Sequence, residues 1–203
     1  MTKRLVAIPL TLAALLYAGK PGDKPDKALK PGLYAVFDTS EGIIKAELFE
    51  KYTPIAVANF VGLAQGTKPW RDPKTGQFVR RPLYNGVTFH RVIREEMIQA
   101  GDPTGTSAHN CGITIRDEFL PGLRFDQRGR LAVANTGRPD SGACQFFFTD
   151  EPVSQWNNQY TIFGQAVEGL DVIHAINRKP LIGERPEHPV IIRSVTIQRI
   201  SRK

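Results

Sequence analysis

From residue 33 onward the chain is cut into short apolar pieces. Runs rich in β-branched and aromatic residues recur at Val87–Ile93, Met97–Ala100, Leu131–Asn135, Gln145–Thr149, Thr161–Gln165 and Ile191–Ile200, with turn residues between them. Short runs bounded in this way read as strands. The last alternates Val195 and Ile197 with Ser194, Thr196 and Gln198, the period of a strand with one buried face. Before them, "LYAVFDTSEGIIKAELF" is two apolar runs around Ser40-Glu41-Gly42, a β-hairpin pattern. Two segments have helical character. In the first, Thr53 is a candidate cap, Pro54 suits the first turn, Ala56, Phe60, Leu63 and Ala64 share a face, and Gly66 stops it. The second is "GLDVIHAIN", ending before Pro180. Many short strands with two helices predict a mainly β domain, a closed or nearly closed antiparallel barrel.

At 203 residues the chain suffices for one domain with a substantial core. Its formal charge of +7 is partly local: Lys3, Arg4 and Lys20 are three of the 27 basic residues, which leaves 24 against 20 acids, or +4, for the rest. The remaining charges are scattered, so nucleic acid is not an expected partner. Lys3 and Arg4 precede an apolar stretch from Leu5 to Ala18, interrupted by Pro9. That stretch is short for a membrane span, which needs roughly 20 residues, and fits the core of a signal peptide. Leu16 weakens the cleavage motif at Ala18; an uncleaved anchor and a frayed helix are the alternatives. The expected organisation is a signal peptide over 1–18, a solvated linker "GKPGDKPDKALKPG" over 19–32 and one domain over 33–203. Export to a periplasmic or extracellular space follows, with no membrane span in the mature form.

Two cysteines, Cys111 and Cys144, suit either one disulfide in an oxidising compartment or two buried thiols. They lack CxxC spacing, and His90, His109, His174 and His188 are dispersed, so no metal site and no cofactor are expected. There is no GxSxG elbow, and "GDPTGT" lacks the spacing and lysine of a phosphate cradle. The acid pairs Asp117–Glu118 and Glu95–Glu96 read as solvated faces. What remains is a set of uncharged polar and aromatic residues around Arg91. That set suits a reaction without proton transfer or covalent intermediate, such as rotation about an X–Pro bond, whose barrier is about 18–20 kcal/mol.

At these residues the chain resembles the cyclophilin family of peptidyl-prolyl isomerases, from about Tyr34 to Ile200. "FHRVI" is similar to the strand carrying the family's catalytic arginine, and "MIQAGD" to its Met-x-Gln-Gly-Gly-Asp segment. The resemblance implies catalytic roles for Arg91 and Gln99, with Met97 lining the proline pocket. "LAVANTG" implies backbone pairing of the substrate with Ala134 and Asn135. "CQFFFTD" gives Gln145 a supporting role and puts Phe147 at the pocket floor, and "YTIFGQ" brings Tyr160, where histidine is common, to the site. Trp156 falls at or beside the family's rim tryptophan. The implied fold is an eight-stranded antiparallel barrel capped by two helices. The implied partners are proline-containing segments of unfolded or folded clients, met by a monomer. With the leader-like N-terminus, an exported bacterial member that assists folding is the expectation.

One departure bears on activity. The family's Pro-Gly-Phe connection is here Arg94-Glu95-Glu96, so Glu96 stands where an aromatic would wall the pocket. Two consequences are expected: lost apolar contact, and a carboxylate able to pair with Arg91 and compete with the substrate carbonyl, unless both acids turn into solvent. The rival readings are a cyclophilin-like module that docks proline segments with little turnover and, more remotely, a barrel that binds a small apolar ligand.

Overall fold

The computed structural model describes residues 29–201. The segment read as a signal peptide, and the linker up to residue 28, lie outside the described residues. The elements in chain order are β1 (Gly32–Thr39), β2 (Gly42–Leu48), α1 (Pro54–Gln65), β3 (Trp70–Arg71), β4 (Phe78–Val79), β5 (Arg91–Ile93), β6 (Met97–Ala100), β7 (Arg130–Val133), β8 (Phe146–Thr149), β9 (Ile162–Glu168), α2 (Leu170–Asn177), β10 (Leu181–Ile182), β11 (Arg185–Pro186) and β12 (Ile192–Ile200). Eight of the strands form one antiparallel sheet in the order β12-β1-β2-β9-β7-β8-β6-β5, while β3–β4 and β10–β11 are separate ribbons. The sheet curls until its edges meet. Thr88 bridges Ile191, Phe89 donates to the Val190 carbonyl and Ile192 to that of Val87. The expected mainly β architecture is therefore found, with the barrel seam made by this short bridge. The long strand expected over Val87–Ile93 is accordingly a bridge followed by the three-residue β5.

Side chains pointing into the curl build a core in which Phe37, Phe60, Tyr84, Phe146, Phe148 and Phe163 meet at ring-centroid distances of 5.1–6.1 Å. α1 packs near β12, and α2 near β2 and β6. Pro54 opens α1 as expected, but Thr53 makes no side-chain cap. Glu118 does this from outside: its carboxylate accepts the free N–H groups of Ile55 and Ala56 at 3.1 and 2.9 Å. Glu118 is thus not an idle surface acid, since a carboxylate at a helix N-terminus satisfies orphan donors and meets the positive end of the dipole. The two cysteines resolve as a disulfide, Cys111–Cys144, both residues buried in the core. Gly101, at φ 98°, lets the loop after β6 run against the chain entering β8, where a Cβ would lie 2.5 Å from the Cys144 carbonyl oxygen.

Candidate active site

Register places the site. Arg91 of β5 is opposite Gln99 of β6, Gln99 is opposite Phe147 of β8, and Phe147 is opposite Ala132 of β7. Cross-strand partners share a face of the sheet, so these residues form one row across four strands. Two positions along, Ile93 faces Met97 on the same side. This is the outer face. The neighbouring row, Val92, Ile98, Phe148 and Leu131, points into the core.

The outer row floors a cleft of about 450 Å³. Its apolar wall is a second aromatic cluster. Phe147 stacks on Phe125 at 5.9 Å and meets Trp156 and Tyr160 edge-on at 5.5 and 5.2 Å, and Met97 completes the patch. Its polar side is a chain of oriented side chains. Arg91 Nη1 donates to Gln99 Oε1 at 3.4 Å, Gln99 Nε2 to Gln145 Oε1 at 2.7 Å, and Gln145 Nε2 to the carbonyls of Ser107 and His109 at 3.1 and 3.0 Å. Because Gln99 spends its NH₂ on Gln145, its oxygen faces the guanidinium. Ala134 donates its N–H to Gln145, and the Asn135 side chain is held by the Gln159 carbonyl at 2.8 Å and by the Gly137 N–H. The Ala134 carbonyl and Asn135 N–H carry no hydrogen bond among the described residues, leaving an edge open to an extended peptide.

The loop over residues 101–110 is pinned by Asp102. Burial alone would raise its pKa, but bonds from the Thr104 hydroxyl, the Thr104 N–H and the His109 N–H outweigh that and pull the carboxyl below the usual range. Away from the cleft, Asp150, Glu151 and His174 come within 4.8 Å of one another, and Asp150 is already engaged by Arg128 and His174.

The family pattern decides what this cleft belongs to. Residues 34–197 match the cyclophilin type peptidyl-prolyl cis-trans isomerase/CLD family model. The chain belongs to the cyclophilin-type peptidyl-prolyl cis-trans isomerases. It is 44% identical over 166 residues to peptidyl-prolyl cis-trans isomerase A of Mycobacterium tuberculosis, covering 80% of this chain and 91% of that one. It is 40% identical over 170 residues to peptidyl-prolyl cis-trans isomerase B of Streptomyces anulatus, covering 82% and 97%. Among solved structures, a Cryptosporidium parvum cyclophilin-type isomerase superposes with a TM-score of 0.71 at 30% identity, covering 83% of this chain and 98% of that one. A second structure of that protein, in the presence of the dipeptide Ala-Pro, gives a TM-score of 0.70. Cyclophilins act on proline-containing peptides, and no described helix is long and apolar enough to cross a membrane.

In this cyclophilin the cleft gathers Arg91, Glu96, Met97, Gln99, Ala134, Asn135, Phe147, Trp156 and Tyr160, with Gln145 immediately behind Gln99. The expected pairing of Glu96 with Arg91 is not found. Glu96 lines the cleft, half-buried, and its carboxylate has no partner among the described residues. Glu95 turns outward to Arg178 at 3.2 Å. It occupies the left-handed conformation, φ 62°, that a three-residue hairpin loop favours and glycine would adopt more cheaply. Buried Asn177 at the end of α2 holds this loop, accepting from the Glu95 N–H and donating to the carbonyls of Ile93 and Met97.

The carboxylate beside Arg91 is Glu184. Its Oε2 lies 2.6 Å from Nε and its Oε1 3.4 Å from Nη2, and this bond to Arg91 holds the Glu184 carboxyl below its usual pKa range. Glu184 gets there because the β10–β11 ribbon turns through Gly183 at positive φ and covers the edge strand β5, with the Val92 N–H donating to the Glu184 carbonyl at 2.6 Å. The 93-residue separation between Arg91 and Glu184 hid this contact from the sequence.

Proposed function

We propose that this cleft isomerises X–Pro bonds by non-covalent catalysis, and that the clients are exported proteins met outside the cytoplasm. The observation that carries the catalytic half is the aim of Arg91. Glu184 takes the Nε edge of its guanidinium, which leaves Nη1 beside Gln99 and the apolar cleft. A proline ring would lie against Met97 and Phe147, with the peptide backbone along Ala134–Asn135 and Trp156 and Tyr160 at the rim. Arg91 would donate to the proline carbonyl or to the pyramidal imide nitrogen. It would thereby favour the twisted amide over either planar form, which is differential stabilisation. A charged hydrogen bond of roughly 1.5–3 kcal/mol gives about ten- to a hundredfold; the pocket and the backbone anchor supply the rest.

The test is a proline-isomerisation assay on a short X–Pro peptide. Arg91→Ala should cost about ten- to a hundredfold in kcat/KM with the thermal midpoint little changed. Binding of the peptide by wild type without acceleration over the uncatalysed rate would leave only a proline-docking module. Support for export is the charged, then apolar, N-terminal segment. N-terminal sequencing of protein recovered from the source cells should give a start near residue 19; a start at Met1 would contradict it.

A further inference from the structure

The charges around the cleft do not balance. The charged residues lining it are Arg91 and Glu96. Arg91 is already neutralised by Glu184, and Glu96 has no cation within ion-pair distance among the described residues. The lining thus presents one ion-paired guanidinium and one unpaired carboxylate, while Arg185, next to Glu184, is turned away to the Gly105 carbonyl. The unpaired carboxylate of Glu96 is on the wall of the cleft, only partly exposed, where screening by salt is weaker than on an open surface.

We propose that Glu96 is a specificity-determining residue, selecting substrates with a Lys or Arg beside the proline and disfavouring those with an acid there. The inference rests on the isomerase reading of the cleft. A side chain flanking a proline seated on Met97 and Phe147 must leave the pocket along its wall, and the residue preceding Met97 on that wall is Glu96. A lysine there gives Glu96 the partner it lacks; a glutamate meets like charge. Glu184 has the second part. Without it, the Arg91 guanidinium would repel the same cation and cancel the preference, so Glu184 makes Arg91 a donor with little net field.

The experiment compares peptides that differ only in the residues flanking the proline: Lys, Ala or Glu, placed in turn before and after it. It reads kcat/KM for wild type, Glu96→Gln and Glu184→Gln. Each attraction or repulsion at a partly exposed site is worth up to about fivefold. Wild type should therefore favour Lys over Glu by about tenfold at one of the two positions. Glu96→Gln should bring that ratio to near one, and Glu184→Gln should lower it by about half or more. Salt at about 1 M should flatten the wild-type ratio, because the screening length falls to ~3 Å. Equal rates for Lys and Glu peptides in wild type, or a ratio unchanged in Glu96→Gln, would overturn the inference while leaving the isomerase reading intact. Failure of every peptide to be turned over would instead sink that reading.

Discussion

The strand β8 serves two aromatic clusters at once. Phe146 and Phe148 point into the barrel among Phe37, Phe60 and Tyr84, whereas Phe147, between them, points out onto Phe125, Trp156 and Tyr160. All three are almost fully buried, so burial alone does not separate them. Closure does: the inner cluster is sealed by the curled sheet and α1, and the outer one lines a cleft. The same residue type, one position apart, is structural on one face and available to a ligand on the other. The alternation of a strand divides the two tasks.

Alanine at the two positions tests that division. Phe148→Ala should cost about 3–5 kcal/mol, a large share of the roughly 5–15 kcal/mol that holds a domain together, because a sealed core leaves a cavity. Phe147→Ala should cost about 1–2 kcal/mol less, since water can enter an already open cleft, while kcat/KM falls by tenfold or more. Denaturant unfolding and the peptide assay on both variants check this. Equal stability losses with equal activity losses would abolish the distinction.

The disulfide crosses between the regions. Cys111 and Cys144 lie in the inner core, yet each adjoins a segment that shapes the cleft: Cys111 follows the loop Gln145 holds, and Cys144 precedes Gln145 and the strand that carries Phe147. Closing a loop with a sequence separation of 33 is worth about 3–4 kcal/mol by the loop-entropy relation. Cys111→Ser with Cys144→Ser should therefore lower stability by about that amount and reduce activity as the loop loosens. Gln145→Ala should reduce activity with a smaller stability loss. If the double serine variant kept full activity, the staple would serve the core alone.

Widening the apolar part of the outer face should act more mildly. Glu96→Phe restores an aromatic wall: about 100 Å² of contact at ~25 cal/mol/Å² bounds the gain at roughly 2.5 kcal/mol. Part of that is lost to ordering the ring and the peptide, so a rise of about three- to tenfold in kcat/KM on an Ala-Pro peptide is expected. An unchanged rate would mean that Glu96 does not stand in place of a pocket wall.

These comparisons also mark what a reader of the sequence can and cannot recover. The outer row of the sheet was legible because each member lies on a short strand with its own motif, and strand period then assigns faces. The hairpin of β1 and β2 and both helices were legible from local turn and cap chemistry. What was not legible depended on distant groups meeting. Thr53 is a reasonable cap by residue type, but Glu118, more than sixty residues later, outcompetes it with a charge. The Cys pair needed the loop to fold back, which Gly101 permits. For Arg91 the expected chemistry, a carboxylate partner, was right and the residue was not. Glu96 is close in sequence but lies along the cleft wall, whereas Glu184 is carried in by a ribbon that covers an exposed strand edge.

The smallest expected effect lies between adjacent residues on opposite sides of the divide. Arg91, facing the cleft, is met by Gln99 and by the carboxylate of Glu184. His90, one position earlier, is buried under the loop that carries Asp102 and Gly105, and neither ring nitrogen has a hydrogen-bond partner among the described residues. Burial pushes its pKa down; the Asp102 carboxylate, the Thr88 backbone and the Gln145 side chain oppose this, and Arg185 assists. A base whose folded pKa is depressed binds its proton first in the unfolded chain. Its contribution to stability is complete above the unfolded value, about 6.5, and is lost as pH falls from there toward the folded value. The slope for one such group is at most about 1.4 kcal/mol per pH unit. Between pH 7.5 and 5.5, wild type should therefore lose stability that His90→Gln does not, by at most about 1.4 kcal/mol, as read by urea unfolding at the two pH values. The comparison uses the change with pH, so an overall weakening of the variant does not obscure it. Identical pH dependence in the two proteins would mean that His90 takes up a proton as readily as the exposed face beside it, and the inner side of β5 would not be sealed in the sense argued for Phe146 and Phe148.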